Sequence, residues 1–256
     1  MKYCDIGLNL FSSQFPDPEK IIREAAEADV ECILTGSDNE ENHAIVRFLE
    51  THTLVYGTCG IHPHNADRLS EAQLAYIRDA QTKDRIVAVG ECGLDYDRMF
   101  SAKENQLRAL EKQIHVAIET GKPMFLHERR AASDMIRVFS AYPELCRRSV
   151  IHCFTGDRAT LETYLDMGFF IGITGWICDD RRAGELREAV KVLPLNRVLI
   201  ETDAPYLTPR NVPGLARTNL PQNIRFVASE LARHMHVEED ILIACCRKNT
   251  QRLFGV

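Results

Sequence analysis

The chain has 256 residues, with 31 Lys and Arg against 37 Asp and Glu for a formal charge of -6, and 45% hydrophobic side chains. These figures fit one folded domain with a sizeable core and argue against a disordered chain. No apolar run approaches the roughly 18 residues of a membrane span, the opening MKYCDIGLNL carries no signal pattern, and nine cysteines without C-x-x-C spacing fit a reducing compartment, so a cytoplasmic protein is expected.

In chain order, short apolar and β-branched runs predict eight strands: Tyr3 to Leu10, Glu31 to Gly36, Leu54 to Ile61, Ile86 to Gly90, Pro123 to His127, Ser149 to Phe154, Phe169 to Ile173 and Val198 to Glu201. Between them, segments of helical period predict helices over Pro18 to Ala28, Ala72 to Gln81, Glu104 to Thr120, Ala159 to Met167 and Ala183 to Leu193. Gly121 and Gly168 stand where helix C-caps require positive φ. Two further helices, Gln222 to His234 and Glu238 to Leu253, close the chain. Alternating strands and helices predict an α/β fold, most economically a single (β/α)8 TIM barrel over residues 1–256, with a doubly wound sheet as the alternative on pattern alone.

In a barrel the C-terminal ends of the strands converge on the active site, and polar residues stand there in order. Strand three ends in Ile61-His62-Pro63-His64, strand four runs into Glu91-Cys92-Gly93-Leu94-Asp95, and strands five, six and eight lead into His127, His152 and Asp203. The separations of 36 residues from Glu91 to His127 and 25 from His127 to His152 each match one βα repeat, and the 51 from His152 to Asp203 match two. Two imidazoles and two carboxylates at one mouth predict a divalent-cation site, with N/O ligands that suit Zn²⁺, Mn²⁺ or Fe²⁺ and, less comfortably, Mg²⁺; Mg²⁺ or Mn²⁺ is the expected cofactor, with Zn²⁺ as the alternative. Alternate residues of a strand share a face, so His62 and His64 both reach the mouth only while the chain, helped by Pro63, stays extended; one of them is expected to face inward, and His62 is the expected one. His43, His52, His115, His234 and His236 lie away from the strand ends and read as surface residues.

Charge is unevenly spread. Residues 1–128 hold 13 basic and 22 acidic side chains, whereas residues 129–256 hold 18 and 15, of which 16 are Arg. Arginine forks onto phosphate, so the acidic total does not exclude a polyanionic substrate.

The motifs DIGLNL at 5–10, GIHPH at 60–64, VGECGLDYDR at 89–98, FLHER at 125–129, IHCFTG at 151–156, IGITGW at 171–176 and ETDAPYL at 201–207 together resemble the TatD family of metal-dependent deoxyribonucleases, within the wider metal-dependent hydrolase barrels. The resemblance covers essentially the whole chain. It implies a TIM barrel that hydrolyses DNA phosphodiester bonds with a divalent metal, trimming 3′ ends with a preference for single strands and a part in DNA repair. It also implies Glu91, His127 and His152 as metal ligands, with Asp203 binding the metal or its water and transferring protons. Asp203 and His62 are then the expected catalytic groups beside Glu91.

Three departures stand out. The first-strand D-x-H-x-H of many such hydrolases is Asp5-Ile6-Gly7-Leu8-Asn9 here, a variant also found within the TatD family, in which Gly7 offers no ligand and Asn9 only a neutral amide oxygen, too weak to hold a second metal tightly. The run His127-Glu128-Arg129-Arg130-Ala131 has Arg130 in place of an acidic residue, and Leu220 replaces the Glu of a C-terminal R-N-E-P segment.

Asp95 is expected either to serve the site, by supporting a His or helping to place a second metal, or to cap the following helix. Arg129, Arg130, Arg181, Arg182, Arg210 and Arg217 follow strands five, seven and eight, and the expected substrate contacts are Arg129, Arg130, Arg217 and Tyr206. Tyr96 and Trp176 are the other aromatics past strand ends, where packing against the rim is the simpler expectation. The expected partner is a single-stranded DNA end, with no membrane and no stable protein partner, hence a monomer. Two rival readings remain, a barrel hydrolase of a small-molecule ester or amide and a nucleic-acid-binding protein with reduced turnover.

Overall fold

A computed structural model describes residues 2–256. Eight strands lie in one sheet in chain order: β1 (Tyr3–Leu8), β2 (Val30–Leu34), β3 (Val55–Cys59), β4 (Ile86–Asp95), β5 (Met124–Arg129), β6 (Ser149–Ile151), β7 (Phe170–Ile173) and β8 (Val198–Ile200). Leu8 bridges Ala204 in parallel just past β8, and Asn9 N–H donates to the Ala204 carbonyl at 2.9 Å. First and last strands thus meet, as a (β/α)8 barrel requires, and the doubly wound alternative falls.

Ten helices alternate with these strands among the described residues: α1 (Pro18–Glu27), α2 (Asn39–Thr51), α3 (Glu71–Ala80), α4 (Lys103–Thr120), α5 (Ala132–Phe139), α6 (Pro143–Cys146), α7 (Arg158–Met167), α8 (Gly184–Ala189), α9 (Ile224–Met235) and α10 (Glu239–Phe254). Their ends follow from local chemistry. Asp17 caps α1 by accepting from Lys20 N–H at 3.0 Å, with Pro18 in the first turn. Gly121 and Gly168 end α4 and α7 at φ 72° and 97°, as expected.

The chain packs as two compact units, residues up to Ile33 with Cys153–Val256, and Leu34–His152. In the second, β4 is buried along its whole length, and α4 lays Leu110, Ile114 and Ala117 on the sheet side. In the first, α9 and α10 bury Val227, Leu231, Leu242 and Cys246. No described helix is long and apolar enough to cross a membrane.

Strand β4 and the helices α2, α5 and α6 differ from the sequence expectation. Strand β4 does not stop at Gly90 but runs on to Asp95, pairing Gly93 with His127 and Asp95 with Arg129 after a register shift between Val89 and Cys92. Glu91 and Asp95 therefore lie on a strand rather than after it. Helix α2 was not foreseen because its buried stripe, Asn42, Ile45, Val46 and Leu49, opens on a polar residue. Asn42 earns its buried place by donating to the Gly60 carbonyl at 2.8 Å and accepting from Gly60 N–H at 3.1 Å.

Candidate metal centre

In the unit Leu34–His152, three strand ends and the loop after β3 bring four side chains to one point. Glu91 and Asp95, four apart on β4, share a face. His127 sits opposite Gly93, midway between them, and its ring meets both: Nδ1 lies 2.9 Å from Glu91 Oε1 and Nε2 lies 3.4 Å from Asp95 Oδ2. Gly93 permits this approach. Its φ is 144°, and a Cβ there would overlap the His127 carbonyl oxygen. His152 follows β6, where its N–H extends the ladder to the Leu126 carbonyl at 2.9 Å, and its Nε2 reaches Glu91 Oε1 at 2.8 Å. His62 Nε2 completes the group at 3.3 Å from the same oxygen.

Glu91 Oε1 thus faces three imidazole nitrogens, whereas a carboxylate oxygen has two lone pairs to offer donors. His127 Nε2 is buried without a well-formed hydrogen bond. Crowded nitrogens around one carboxylate, with a buried nitrogen left over, are the donor set of a divalent cation rather than of a closed hydrogen-bond network. The ligand atoms of His62, Glu91 and His127 all lie within 4.8 Å of one another. His62, expected from sequence as a catalytic group, is thereby also a candidate ligand.

The electrostatics agree. Burial works to raise the Glu91 carboxyl, but His152, His62 and the hydrogen bonds from His127 and His152 outweigh it and hold the group well below the ordinary carboxylate range. Burial pushes His62 down to about 4, leaving a neutral ring with a lone pair. His127 is raised, because Asp95 and Glu91 overcome its burial.

His64 turns away from Glu91, with Nε2 2.8 Å from Asp95 Oδ2. Of the two roles weighed for Asp95, support of the histidines holds. Its Oδ1 accepts from Asp97 and Arg98 N–H at 2.9 and 2.8 Å, closing the turn after β4, while α4 begins at Ala102 with no side-chain cap.

Arg129 and Arg130 are less available than their sequence position suggests: both pair with Asp97, at 2.8 and 3.2 Å. Tyr96 donates to Asp134 at 2.9 Å and carries Lys103 over its ring, a structural arrangement at the rim.

In the other unit, Asp203 lies three residues past β8 in the left-handed region, at φ 53°. Asn9 Nδ2 donates to Asp203 Oδ1 at 2.8 Å and to the Ala204 carbonyl at 3.3 Å. Asn9, considered from sequence only as a weak ligand, is instead a partner of the predicted catalytic carboxylate. The signal for it was the closure of the barrel, which sets the first strand beside the last. Buried Asp5 accepts from Thr202 N–H at 2.8 Å and from the Thr202 hydroxyl, fixing the residue before Asp203. Tyr206, 49% exposed, lines a cleft with Trp176, Arg182, Arg210 and Arg217. Arg181 and Arg182 both pair with Asp179, and the Arg182 guanidinium lies 4.1 Å from the centre of the Trp176 ring.

A sequence profile described as TatD related DNase matches residues 4–255. A protein of Erwinia amylovora named 3'-5' ssDNA/RNA exonuclease TatD is 39% identical over 98% of this chain and 99% of its own length. One of the same name from Klebsiella pneumoniae is 38% identical over 98% and 97%. Among solved structures, YJJV, a TatD homolog from Escherichia coli K12, matches all of this chain and 98% of its own with a TM-score of 0.91 at 27% identity. A TatD family hydrolase from Entamoeba histolytica shares the fold, with a TM-score of 0.83 at 24% identity over 98% of this chain and 97% of its own.

Proposed function

The chain belongs to the TatD-related deoxyribonuclease family, and on that premise we propose that it is a metal-dependent exonuclease removing nucleotides from the 3′ ends of single-stranded DNA, with RNA as a second substrate. The observation that carries the proposal is the convergence of His62, His127 and His152 on one oxygen of Glu91. Glu91, His127 and His152 hold the cation in this reading, with His62 beside them. Bound there, Mg²⁺ or Mn²⁺, or Zn²⁺, supplies Lewis-acid polarisation of a phosphoryl oxygen and an acidified water.

The chain's own residues do the rest. Asp95 orients His127 and His64, as carboxylates behind metal-binding imidazoles commonly do. Asp203 joins the proposal because it follows β8, and residues at the C-terminal ends of barrel strands serve one active site. Its carboxylate, oriented by Asn9, accepts the proton of the attacking water or binds the cation directly. Arg217 and Tyr206 hold substrate by forked phosphate contact and base stacking, and exposed Arg130, with Arg129, lends charge shared with Asp97. A monomeric enzyme of the cytoplasm, acting in DNA repair, completes the reading, and nine free cysteines accord with that compartment.

The test uses stripped protein resupplied with Mg²⁺, Mn²⁺ or Zn²⁺ on 3′-labelled single strands. Nucleotide release dependent on metal, and abolished in the Glu91→Ala, His127→Ala double variant, is expected. Release that survives both substitutions would overturn the metal centre. Binding without release under every metal would favour the reduced-turnover reading, and turnover of small esters alone the small-molecule one.

A further inference from the structure

The loop between β4 and α4 carries an exposed apolar pair that the catalytic reading leaves unused. Met99 is 46% and Phe100 64% exposed. Exposed apolar surface gains significance from what it borders. Here they adjoin the metal centre within one compact unit. The Phe100 ring stands edge-on to His64 with centroids 4.8 Å apart, and the His64 ring lies 4.1 Å from that of His62.

The tip is anchored at both ends. On one side Asp95 Oδ1 holds the Asp97 and Arg98 N–H groups. On the other, buried Ser101 donates to the His64 carbonyl at 2.9 Å and accepts from Asp67 N–H at 3.1 Å. Met99 between them takes a left-handed φ of 51°. Phe100 is thus an aromatic face presented on a fixed turn, and a pre-ordered platform spends little entropy on binding. Exposed Arg98, two residues before it, makes no ion pair among the described residues, so the same turn carries a cation and an aromatic, the two groups that single-strand binders use for phosphate and base.

We propose that Phe100 stacks on a base at the end of the strand being trimmed, seating that nucleotide beside the His62, Glu91, His127 and His152 cluster. The proposal rests on the exonuclease reading and assigns it a specificity residue. It explains a single-strand preference physically, because a base engaged by Phe100 cannot remain stacked and paired in a duplex.

The experiment is a cycle between protein and substrate. Wild type and Phe100→Ala are compared on an intact single strand and on strands abasic at the last or next-to-last position, with kcat/KM for nucleotide release as the readout. One stacked base is worth roughly 5- to 150-fold. Phe100→Ala is therefore expected to lose that factor on the intact strand and less than about 2-fold where the contacted base is missing, with Phe100→Trp and Phe100→Tyr restoring the rate. An equal loss on all three strands, or no loss on any, overturns the proposal. If wild type releases nothing from any strand, the exonuclease reading fails, and the same cycle scored by fluorescence anisotropy of binding still decides on the stacking contact.

Discussion

Replacing Asp5 by Asn should make the protein's stability less dependent on pH, in a window that the structure defines. Asp5 is fully buried, and burial raises its carboxyl from the usual 3.8 to about 7, against the hydrogen bonds from Thr202 and Gly7 that work to lower it. Below about pH 4, folded and unfolded chains both carry the proton. Between about 4 and 7 the unfolded chain ionises while the folded chain keeps its proton, so stability falls as pH rises. Above 7 the full cost is present. The span from 3.8 to about 7, at 1.36 kcal/mol per pH unit, amounts to about 4 kcal/mol. Asn mimics the protonated acid, with an oxygen to accept from Thr202 N–H and an amide able to donate to the Thr202 hydroxyl. For a chain of this size, 4 kcal/mol corresponds to roughly 8–16 °C in Tm. Scanning calorimetry of both proteins in chelator, from pH 4 to 8, should show the variant gaining on wild type by about that much, because all other titrations cancel in the difference. A Tm difference that stays constant across the range would refute a buried carboxyl with a raised pKa.

Gly93→Ala should displace His127 and cost ~3 kcal/mol, since the added Cβ meets the His127 carbonyl at a φ that L-residues avoid; chemical denaturation and nucleotide release should fall together. Asn9→Ala removes one hydrogen bond from the Asp203 carboxylate, so kcat should drop by about 10-fold with KM little changed, consistent with loss of one charge-assisted hydrogen bond. Asp97→Asn releases Arg129 and Arg130 from their shared carboxylate and should lower KM for single strands. Arg130→Ala should flatten the dependence of log K on log salt by about 0.7, the value for one single-strand phosphate contact, and an unchanged slope would remove Arg130 from the substrate surface.

The barrel and the convergence of His62, His127 and His152 on Glu91 were legible because both are written locally. Each ligand follows a short apolar run, and the run fixes which end of the sheet it occupies. His127 and His152 needed nothing more than that rule, whereas His62 and His64 part company because the extended backbone ends at His62 and a 3₁₀ turn over Pro63–Arg68 follows. The extension of β4 was not legible, since Gly90 and Gly93 read as turn residues when they are in fact places where the backbone of β5 passes too close for a side chain. Asn9 was misread for a related reason. Its value comes from a partner 194 positions away, and no local pattern announces which polar atom will stand opposite.

The arginines show the same limit from the other side. Sixteen of them crowd residues 129–256, and counted as charges they suggest a phosphate-binding face. Placed in the fold, Arg158 pairs with Glu162, Arg181 and Arg182 with Asp179, Arg187 and Arg233 with Glu230, and Arg247 with Glu31. Arg148 and Arg252 hold backbone carbonyls at helix and strand ends. Arg210 and Arg217 make no ion pair among the described residues, and both line the cleft of Trp176 and Tyr206. Each phosphate contact contributes a slope of about -0.7 on a single strand, so a pair of arginines gives weak electrostatic affinity. Such a surface suits an enzyme that takes a strand end, reads it by stacking and lets go, and it is poorly suited to tracking along a duplex. On the proposed reading the acidic balance of the chain follows from the same design: a cation among histidines and a few aromatic faces would grip the substrate, while Arg158, Arg181, Arg182, Arg187, Arg233 and Arg247 are occupied by ion pairs.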